Sequence, residues 1–258
     1  MNKKYFVLVF LVFLLPLFFL TGCSSANEKK ATYSDNEFIM NLAKGLEARW
    51  DISDKNEGKE DTVQDMKDYI QAELSQIEKY TSATFKDSVL QEKAIKYINL
   101  LKSSKENINN YFASDNEKWQ EIFDQRAILL KDFVDNYKLK VNSKHQSKLD
   151  LLVSNGKTVA ENASKETELK KLIKTLKFKK TKDEYGFQTY EAVLENTTPY
   201  NIKNLFLDIS LLDKNGVIVS TEYASVENVS TGKKARVKFD TTDKFDKYEV
   251  VLSSYDLN

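Results

Sequence analysis

Two residues of this 258-residue chain are each the only one of their kind: Cys23 is its sole cysteine and His145 its sole histidine. A histidine can shuttle protons near neutral pH or bind a metal ion through a ring nitrogen. His145 lies among polar neighbours, so we expect an exposed, solvated side chain. A single histidine excludes a histidine-rich zinc site. The chain also has no Gly-x-Ser-x-Gly motif that would support a catalytic triad.

Acidic residues are abundant, but most occur at the spacing of exposed helix faces. A glycosidase needs two carboxylates across a cleft, one of them with a raised pKa, and no motif indicates such a pair. The stretch Asp213-Lys214-Asn215-Gly216 hints at a calcium loop, yet Val217 follows where further ligands should occur. We therefore expect a hairpin turn there, and no metal, no cofactor and no enzymatic activity.

A run of lysines is the one local imbalance of charge. It spans the junction between the last predicted helix and the first predicted strand, and two interpretations remain open. Lysines favour the C-terminal end of a helix and protect an exposed edge strand from pairing. Alternatively, they form a patch for an anionic partner such as a wall polymer or lipid headgroups. The run consists of Lys170, Lys171, Lys174, Lys177, Lys179, Lys180 and Lys182.

Cys23 comes directly after a short basic segment and an apolar run at residues 5–20. This pattern is typical of a secretory signal, and the run is short for a transmembrane helix, which needs about 20 apolar residues. Leu20-Thr21-Gly22-Cys23 resembles the lipobox of bacterial lipoprotein signal peptides. The resemblance implies a diacylglyceryl group on the Cys23 sulfur, cleavage before Cys23, and a lipid-anchored protein on the outer face of the cell membrane. A retained signal-anchor helix is the alternative.

We predict a signal peptide at residues 1–22 and a polar, flexible tether at residues 23–34.

The net charge and the cysteine content of the chain narrow the function classes further. The chain has 39 basic and 39 acidic residues, so removal of Lys3 and Lys4 leaves a net charge of −2. A nearly neutral chain has no overall positive charge to attract nucleic acid, so we expect no nucleic-acid partner. With Cys23 lipidated no disulfide can form, so packing alone must hold the fold.

Residues 35–175 show a helical period, because apolar residues recur at steps of three and four. Phe38, Leu42, Leu46 and Trp50 make the first of four such stripes. A single amphipathic helix cannot bury its own stripe, so this region should form an antiparallel helical bundle.

One further signal concerns the end of the helical region. Asn155-Gly156 is typical of a helix end or a turn. We therefore expect a break at this position and a separate last helix over residues 159–173.

Beyond residue 176 the apolar residues alternate with a period of two, as in β-strands. The alternation is clearest at residues 205–212, and turn signals such as Asn196-Thr197-Thr198-Pro199 separate the short runs. Regularly spaced short strands with turns between them predict an antiparallel β-sandwich over residues 176–258. The predicted fold class is thus α then β, in two domains.

The order of motifs within the strand-rich part is distinctive. A strand that ends in asparagine (190–196) precedes a longer strand (202–212) and a turn with a following strand (213–219), and Gly232 and Phe239 come later. This order resembles the FxLYD-type immunoglobulin-like domains of Gram-positive lipoproteins. The family is a fold module without a shared catalytic site, so the resemblance implies an Ig-like sandwich and a cell-surface setting.

These features predict a lipid-anchored, non-enzymatic binding or scaffold protein whose partner is a cell-surface protein or a wall polymer. The helical bundle would act as a spacer or partner-binding element, with the sandwich displayed beyond it. A small-ligand-binding lipoprotein associated with a transporter or sensor is the alternative, and it would need a large closed apolar pocket. A cell-wall hydrolase is least favoured, since it would need a deep cleft with two facing carboxylates.

Overall fold

The computed structural model describes residues 32–113 and 116–258, in which six α-helices precede six β-strands. The predicted order, helices and then antiparallel strands, is confirmed. A short 3-10 turn at Glu78–Ser82 follows the second helix. The helices are α1 (Asp35–Lys55), α2 (Val63–Ile77), α3 (Ser88–Glu106), α4 (Ile108–Tyr111), α5 (Glu117–Tyr137) and α6 (Gln146–Ile173).

Short polar side chains define where two of these helices begin. The Thr62 hydroxyl accepts a hydrogen bond from the backbone N–H of Asp65, whose carboxylate accepts one in return from the Thr62 N–H. This reciprocal pair is a capping box at the start of α2. The Asp87 carboxylate accepts hydrogen bonds from the N–H groups of Val89 and Leu90 at the start of α3. Each cap typically contributes about 1 kcal/mol.

The first predicted stripe is buried. Phe38, Leu42 and Leu46 of α1 have no exposed surface, and they belong to one hydrophobic cluster shared by the helices. The Phe38 ring centroid lies 5.5 Å from that of Tyr80 and 5.6 Å from that of Phe133, both in edge-to-face geometry. Aromatic contacts therefore join α1 to the turn after α2 and to α5.

The predicted break at Asn155-Gly156 is wrong, because both residues lie inside the 28-residue helix α6. The glycine is there for packing. A Cβ atom at position 156 would lie 2.2 Å from the backbone oxygen of Ala127, so only glycine lets α6 approach α5 this closely. At a rise of 1.5 Å per residue, α6 is about 42 Å long.

The six strands form two three-stranded antiparallel sheets with the orders β1-β2-β5 and β4-β3-β6. Alternate residues of the central strand β3 are buried, as Leu205, Leu207 and Ile209 illustrate. Phe206 and Asp208 face the opposite side. The strands are β1 (Lys179–Glu184), β2 (Phe187–Glu195), β3 (Ile202–Leu212), β4 (Ile218–Val229), β5 (Lys234–Thr241) and β6 (Lys247–Leu257).

Helix α6 takes part in the core of the strand region. Leu169, Leu172 and Ile173, in its last turns, are buried in one hydrophobic cluster with residues of both sheets. No residue from 157 to 168 is buried, so the middle of α6 is a solvated connection. The predicted boundary between the two domains lies after residue 175, whereas the end of α6 packs with the strands.

The hairpin turn predicted at Asp213-Lys214-Asn215-Gly216 is confirmed between β3 and β4. Gly216 has a φ of +81°, a left-handed conformation that favours glycine. The Asp213 carboxylate accepts hydrogen bonds from the N–H groups of Asn215 at 2.8 Å and Val217 at 2.9 Å. This carboxylate therefore shapes the turn.

Asn196, at the end of β2, is fully buried and forms a second polar corner. Its amide nitrogen donates to the carbonyl oxygens of Tyr200 and Val229, both at 2.8 Å. Its amide oxygen accepts from the N–H of Thr198 at 3.1 Å and from the Thr198 hydroxyl at 2.7 Å. One side chain thus joins the turn after β2 to the end of β4.

Among the residues that the structure describes, no helix combines the length and apolarity needed to cross a bilayer.

Candidate functional site

Cys23, the predicted lipid attachment site, lies outside the described residues, as do the predicted signal peptide and most of the predicted tether. The lipid anchor therefore stays a prediction.

The predicted lysine patch is divided by the structure into paired and unpaired members. Four of its seven lysines form ion pairs with an acid on or beside their own element. The pairs are Lys170 with Glu166 at 2.6 Å, Lys171 with Glu168 at 3.1 Å, Lys180 with Asp183 at 2.8 Å and Lys182 with Glu184 at 2.8 Å. Such exposed pairs contribute little to stability, but they neutralise charge locally.

The other three lysines, Lys174, Lys177 and Lys179, form no ion pair with any described residue. They line two surface grooves. The first groove, of about 410 Å³, lies between the end of α6 and β6 and is lined by Lys174 and Lys177. The second, of about 480 Å³, lies along β1 and β2 and is lined by Lys177 and Lys179. Lys177 therefore stands between the two.

Arg236 and Lys238 of β5 extend this basic surface across the first sheet. The register places Lys179, Glu191 and Lys238 in one row across β1, β2 and β5, so their side chains share one face. The Glu191 carboxylate contacts the Arg236 guanidinium and lies 3.0 Å from the Lys238 ammonium. The contacts with Lys238 and Arg236 hold the pKa of Glu191 below its ordinary value. The Glu191 carboxylate thus forms ion pairs with both Arg236 and Lys238.

Arg236 and Lys238 were not predicted as members of the lysine patch. The sequence does show that both lie on one face of β5, because basic and apolar residues alternate along this strand. They lie on the same face of the sheet as Lys179 only because β5 pairs with β2, and the local sequence pattern does not specify that pairing.

A third groove, of about 610 Å³, lies beside Arg236 and Lys238 and extends over the second sheet. Phe206 of β3 and Tyr223 of β4 also line it, and the Tyr223 side chain is 76% exposed. Asp208 supplies a carboxylate. The groove therefore combines two cations, exposed aromatic rings and one acid.

His145 is fully buried, so the expectation of a solvated side chain is wrong. Its Nε2 lies 3.0 Å from a carboxylate oxygen of Asp51, and its ring centroid lies 5.5 Å from that of Trp50. The loop before α6 packs against the end of α1, which removes the imidazole from water. His145 thus joins the two helices.

Asp51, Asp54 and His145 bring three possible metal-ligating atoms within 4.8 Å of one another. The Lys144 ammonium contacts Asp51 and lies 3.6 Å from Asp54, while the Lys148 ammonium contacts Asp54. Contacts with Lys144 and then His145 lower the pKa of Asp51. Two ammonium groups already neutralise both carboxylates, so the arrangement is that of an ion-paired helix contact.

A buried ionic network, which the sequence did not reveal, lies at the centre of the helical region. The Glu73 carboxylate is fully buried and lies 3.0 Å from Arg49 and 2.9 Å from Arg126. The Tyr97 hydroxyl donates a hydrogen bond to the same carboxylate. Gly45 allows the approach, since a Cβ there would lie 2.8 Å from the Glu73 backbone oxygen. All these groups point inward and bind one another.

The network keeps Glu73 ionised. Burial raises the pKa of Glu73, but the guanidinium groups of Arg126 and Arg49 outweigh it and hold that pKa below its ordinary value. Burial raises the pKa of the Tyr97 hydroxyl well above its ordinary value, so this group stays a donor. The arrangement is that of a structural network with no exposed reactive group.

No known protein family, curated protein or solved structure was found to match this chain.

Proposed function

We propose that this chain is a lipid-anchored protein on the outer face of the cell membrane. In this proposal it acts as a non-enzymatic binding or scaffold module for a surface protein or a wall polymer. In this proposal Cys23 carries the lipid. The helical region is a bundle that serves as a spacer or partner-binding element, and the strand region is an Ig-like sandwich displayed beyond it.

The observation that carries the proposal is the double role of α6. Its first half packs against α5 at Gly156, and its last turns, with Leu169 and Ile173, belong to the core of the strand region. A single continuous helix, with about 18 Å of unburied length at residues 157–168 between its two packed segments, holds the clusters at a defined separation. Such an element suits a protein whose task is to position a binding surface at a distance from its anchor.

The arrangement of the sheets supports the Ig-like assignment. Two antiparallel sheets with the orders β1-β2-β5 and β4-β3-β6 share one hydrophobic cluster. Facing sheets around a common core are what a sandwich requires. The buried Asn196 at the end of β2 lies within the order of motifs that led to the FxLYD resemblance.

The shape and charge of the surface support an extended anionic partner. Grooves of about 410, 480 and 610 Å³ are open to solvent and carry unpaired lysines or shared cations. A small-ligand carrier would instead enclose most of its ligand in an apolar pocket. The open grooves therefore favour the binding or scaffold function over that alternative.

Replacement of Cys23 by Ala tests the anchor. The variant should leave the membrane fraction and lose the mass of the lipid, because no other thiol can accept a diacylglyceryl group. Ser25→Ala is the matched control and should stay lipidated. An unmodified thiol on a chain that retains residues 1–22 would contradict the proposal and favour the signal-anchor alternative.

Crosslinking on intact cells tests the partner-binding role. The lipidated protein should be captured with surface proteins or wall fragments, which mass spectrometry would identify. Capture of cytoplasmic proteins alone would contradict an outer-face location.

A further inference from the structure

The three grooves are linked to one another, two of them through a shared lining residue and two through ion pairs. Arg236 and Lys238 line the groove at the second sheet, and both bind Glu191, which lines the groove along β1 and β2. Lys177 then lines both that groove and the one between α6 and β6. We call these linked grooves the cationic track. Its cations are Arg236, Lys238, Lys179, Lys177 and Lys174.

We propose that the cationic track binds a linear polyanion, a chain of sugar or polyol units joined by phosphodiester groups. The proposal deepens the proposed function and rests on it for the location, since an outer-face protein meets such polymers in the wall. The charge balance fits an anionic occupant. The track has five cations, and the acids that line the same grooves are three: Glu191, Asp208 and Glu249.

The side chains of the track suit phosphate groups. An Arg guanidinium binds phosphate through two parallel hydrogen bonds, and a Lys ammonium binds it as a compact charge. Glu191 holds Arg236 and Lys238 in place from one side, and both cations remain more than half exposed on the other. They are therefore positioned before any ligand arrives, which reduces the entropy lost on binding.

The course of the track favours a chain over a membrane surface. The track begins at the second sheet, crosses the outer face of the first sheet and ends between α6 and β6. A flat bilayer would touch only one of these faces at a time, whereas a flexible polymer can follow successive grooves. The grooves are also concave, so a thin chain reaches their cations more readily than a planar surface does.

The groove at the second sheet suits the neutral units of such a polymer. Tyr223 and Phe206 are 76% and 42% exposed, and Ser225 and Ser253 line the same groove. Exposed aromatic rings with a polar surround bind partners that have an apolar face and hydroxyl groups. Sugar rings have both, and acyclic polyol units have the hydroxyl groups.

Charge-neutralising variants test the track. In the full-length protein in detergent, Lys177→Gln combined with Lys179→Gln removes two track cations, and Lys170→Gln combined with Lys171→Gln removes two paired lysines outside it. All four side chains are exposed, so neither pair disturbs a core. With a linear poly(glycerol phosphate) as the probe, the first pair should weaken binding about 30-fold and the second less than threefold. Equal losses in the two pairs, or no binding by the unaltered protein, would overturn the proposal.

A second variant and a second probe locate the site and its ligand. Arg236→Gln lies at the other end of the track and should weaken binding of the same polymer at least fivefold, because the site spans both ends. Unchanged binding would overturn the continuous track. Because the Cys23 lipid would itself insert into a vesicle, the vesicle measurement compares the variants in detergent-free buffer, and retention on vesicles with phosphatidylglycerol should respond equally to both lysine pairs. Retention that falls only when Lys177 and Lys179 are replaced, together with no polymer binding, would assign the surface to a bilayer and overturn the polymer proposal.

These outcomes are independent of the anchor. Membrane retention through Cys23 is measured on cells, whereas polymer binding is measured in detergent. A protein that needs Cys23 for retention but does not bind the polymer would overturn the track alone.

Discussion

The Nη2 atom of Arg126 in α5 lies 3.0 and 2.9 Å from the two carboxylate oxygens of Glu73 in α2, and both side chains are buried. Arg49 of α1 and Tyr97 of α3 complete the shell around the carboxylate. Side chains from four helices, α1, α2, α3 and α5, therefore meet at the Glu73 carboxylate.

Replacement of Glu73 by Gln should destabilise the helical region by about 3–5 kcal/mol, because the buried guanidinium of Arg126 and the largely buried one of Arg49 lose their counter-charge. The free energy of unfolding from denaturant titration, followed by circular dichroism, measures the loss. Glu78→Gln is the matched control: its pair with Lys102 is exposed, at 2.9 Å, and its loss should cost less than about 1 kcal/mol. Equal effects of the two variants would show that the buried network contributes nothing specific.

Acid should destabilise the protein through the same residue. The pKa of Glu73 is lower in the folded protein than in the unfolded chain, where it is near 4.5. The ionised carboxylate therefore stabilises the fold fully above about pH 4.5. This stabilisation is lost as the pH falls from there toward the folded-state pKa. We expect the free energy of unfolding to decline below about pH 4.5 in the unaltered protein. The decline should be shallower in Glu73→Gln, which has no proton to gain. Parallel pH profiles would contradict the assignment.

Gly156→Ala should destabilise the contact between α5 and α6. Alanine gains about 1 kcal/mol in helix propensity, but its Cβ would lie 2.2 Å from a backbone oxygen that cannot move aside. Overpacking of this kind typically costs about 1–3 kcal/mol, so the net melting temperature should fall. Ser154→Ala, exposed on the same helix, should leave it unchanged or raise it. An increase in both variants would refute the close approach.

Asn196→Asp should destabilise the strand region. The aspartate keeps the shape of the side chain but replaces two donated hydrogen bonds with an acceptor that faces the carbonyl oxygens of Tyr200 and Val229. Each buried unsatisfied group costs about 1–3 kcal/mol. Thermal unfolding measures the loss, and Asn162→Asp in the exposed middle of α6 is the control. A native-like melting temperature would contradict the polar corner.

Ala163→Pro should uncouple the two hydrophobic clusters without unfolding either. Proline in a helix interior costs about 3 kcal/mol and kinks or breaks the helix. Residue 163 lies in the segment of α6 without buried residues, so both clusters should keep their packing. Spin labels placed on the two halves should show a broader distance distribution than with Ala163→Ser. An unchanged distribution would show that α6 is not what holds the two halves apart.

Local pattern predicted those features that depend on neighbours along the chain. The buried stripe at Phe38, Leu42 and Leu46 follows from a period of three to four, and the alternation in β3 follows from a period of two. The turn at Asp213 follows from its residue types, because a short carboxylate and a glycine favour it in any context. These signals also gave the order of helices and strands.

Other features depend on residues far apart in sequence, and there local pattern failed. Asn155-Gly156 has the composition of a helix end, but close packing against Ala127 places it inside α6. His145 has polar neighbours, yet it is buried because the start of α6 packs on the end of α1.

The sequence alone thus determined the succession of helices and strands and pointed to Cys23 and to the lysine run as residues of interest. Tertiary structure decided which of those lysines remain unpaired, and it added Arg236 and Lys238 by pairing β5 with β2. The physical reason is range. Hydrophobic period and turn chemistry act between neighbours along the chain, whereas burial, ion pairing and the joining of grooves arise only when distant segments pack together.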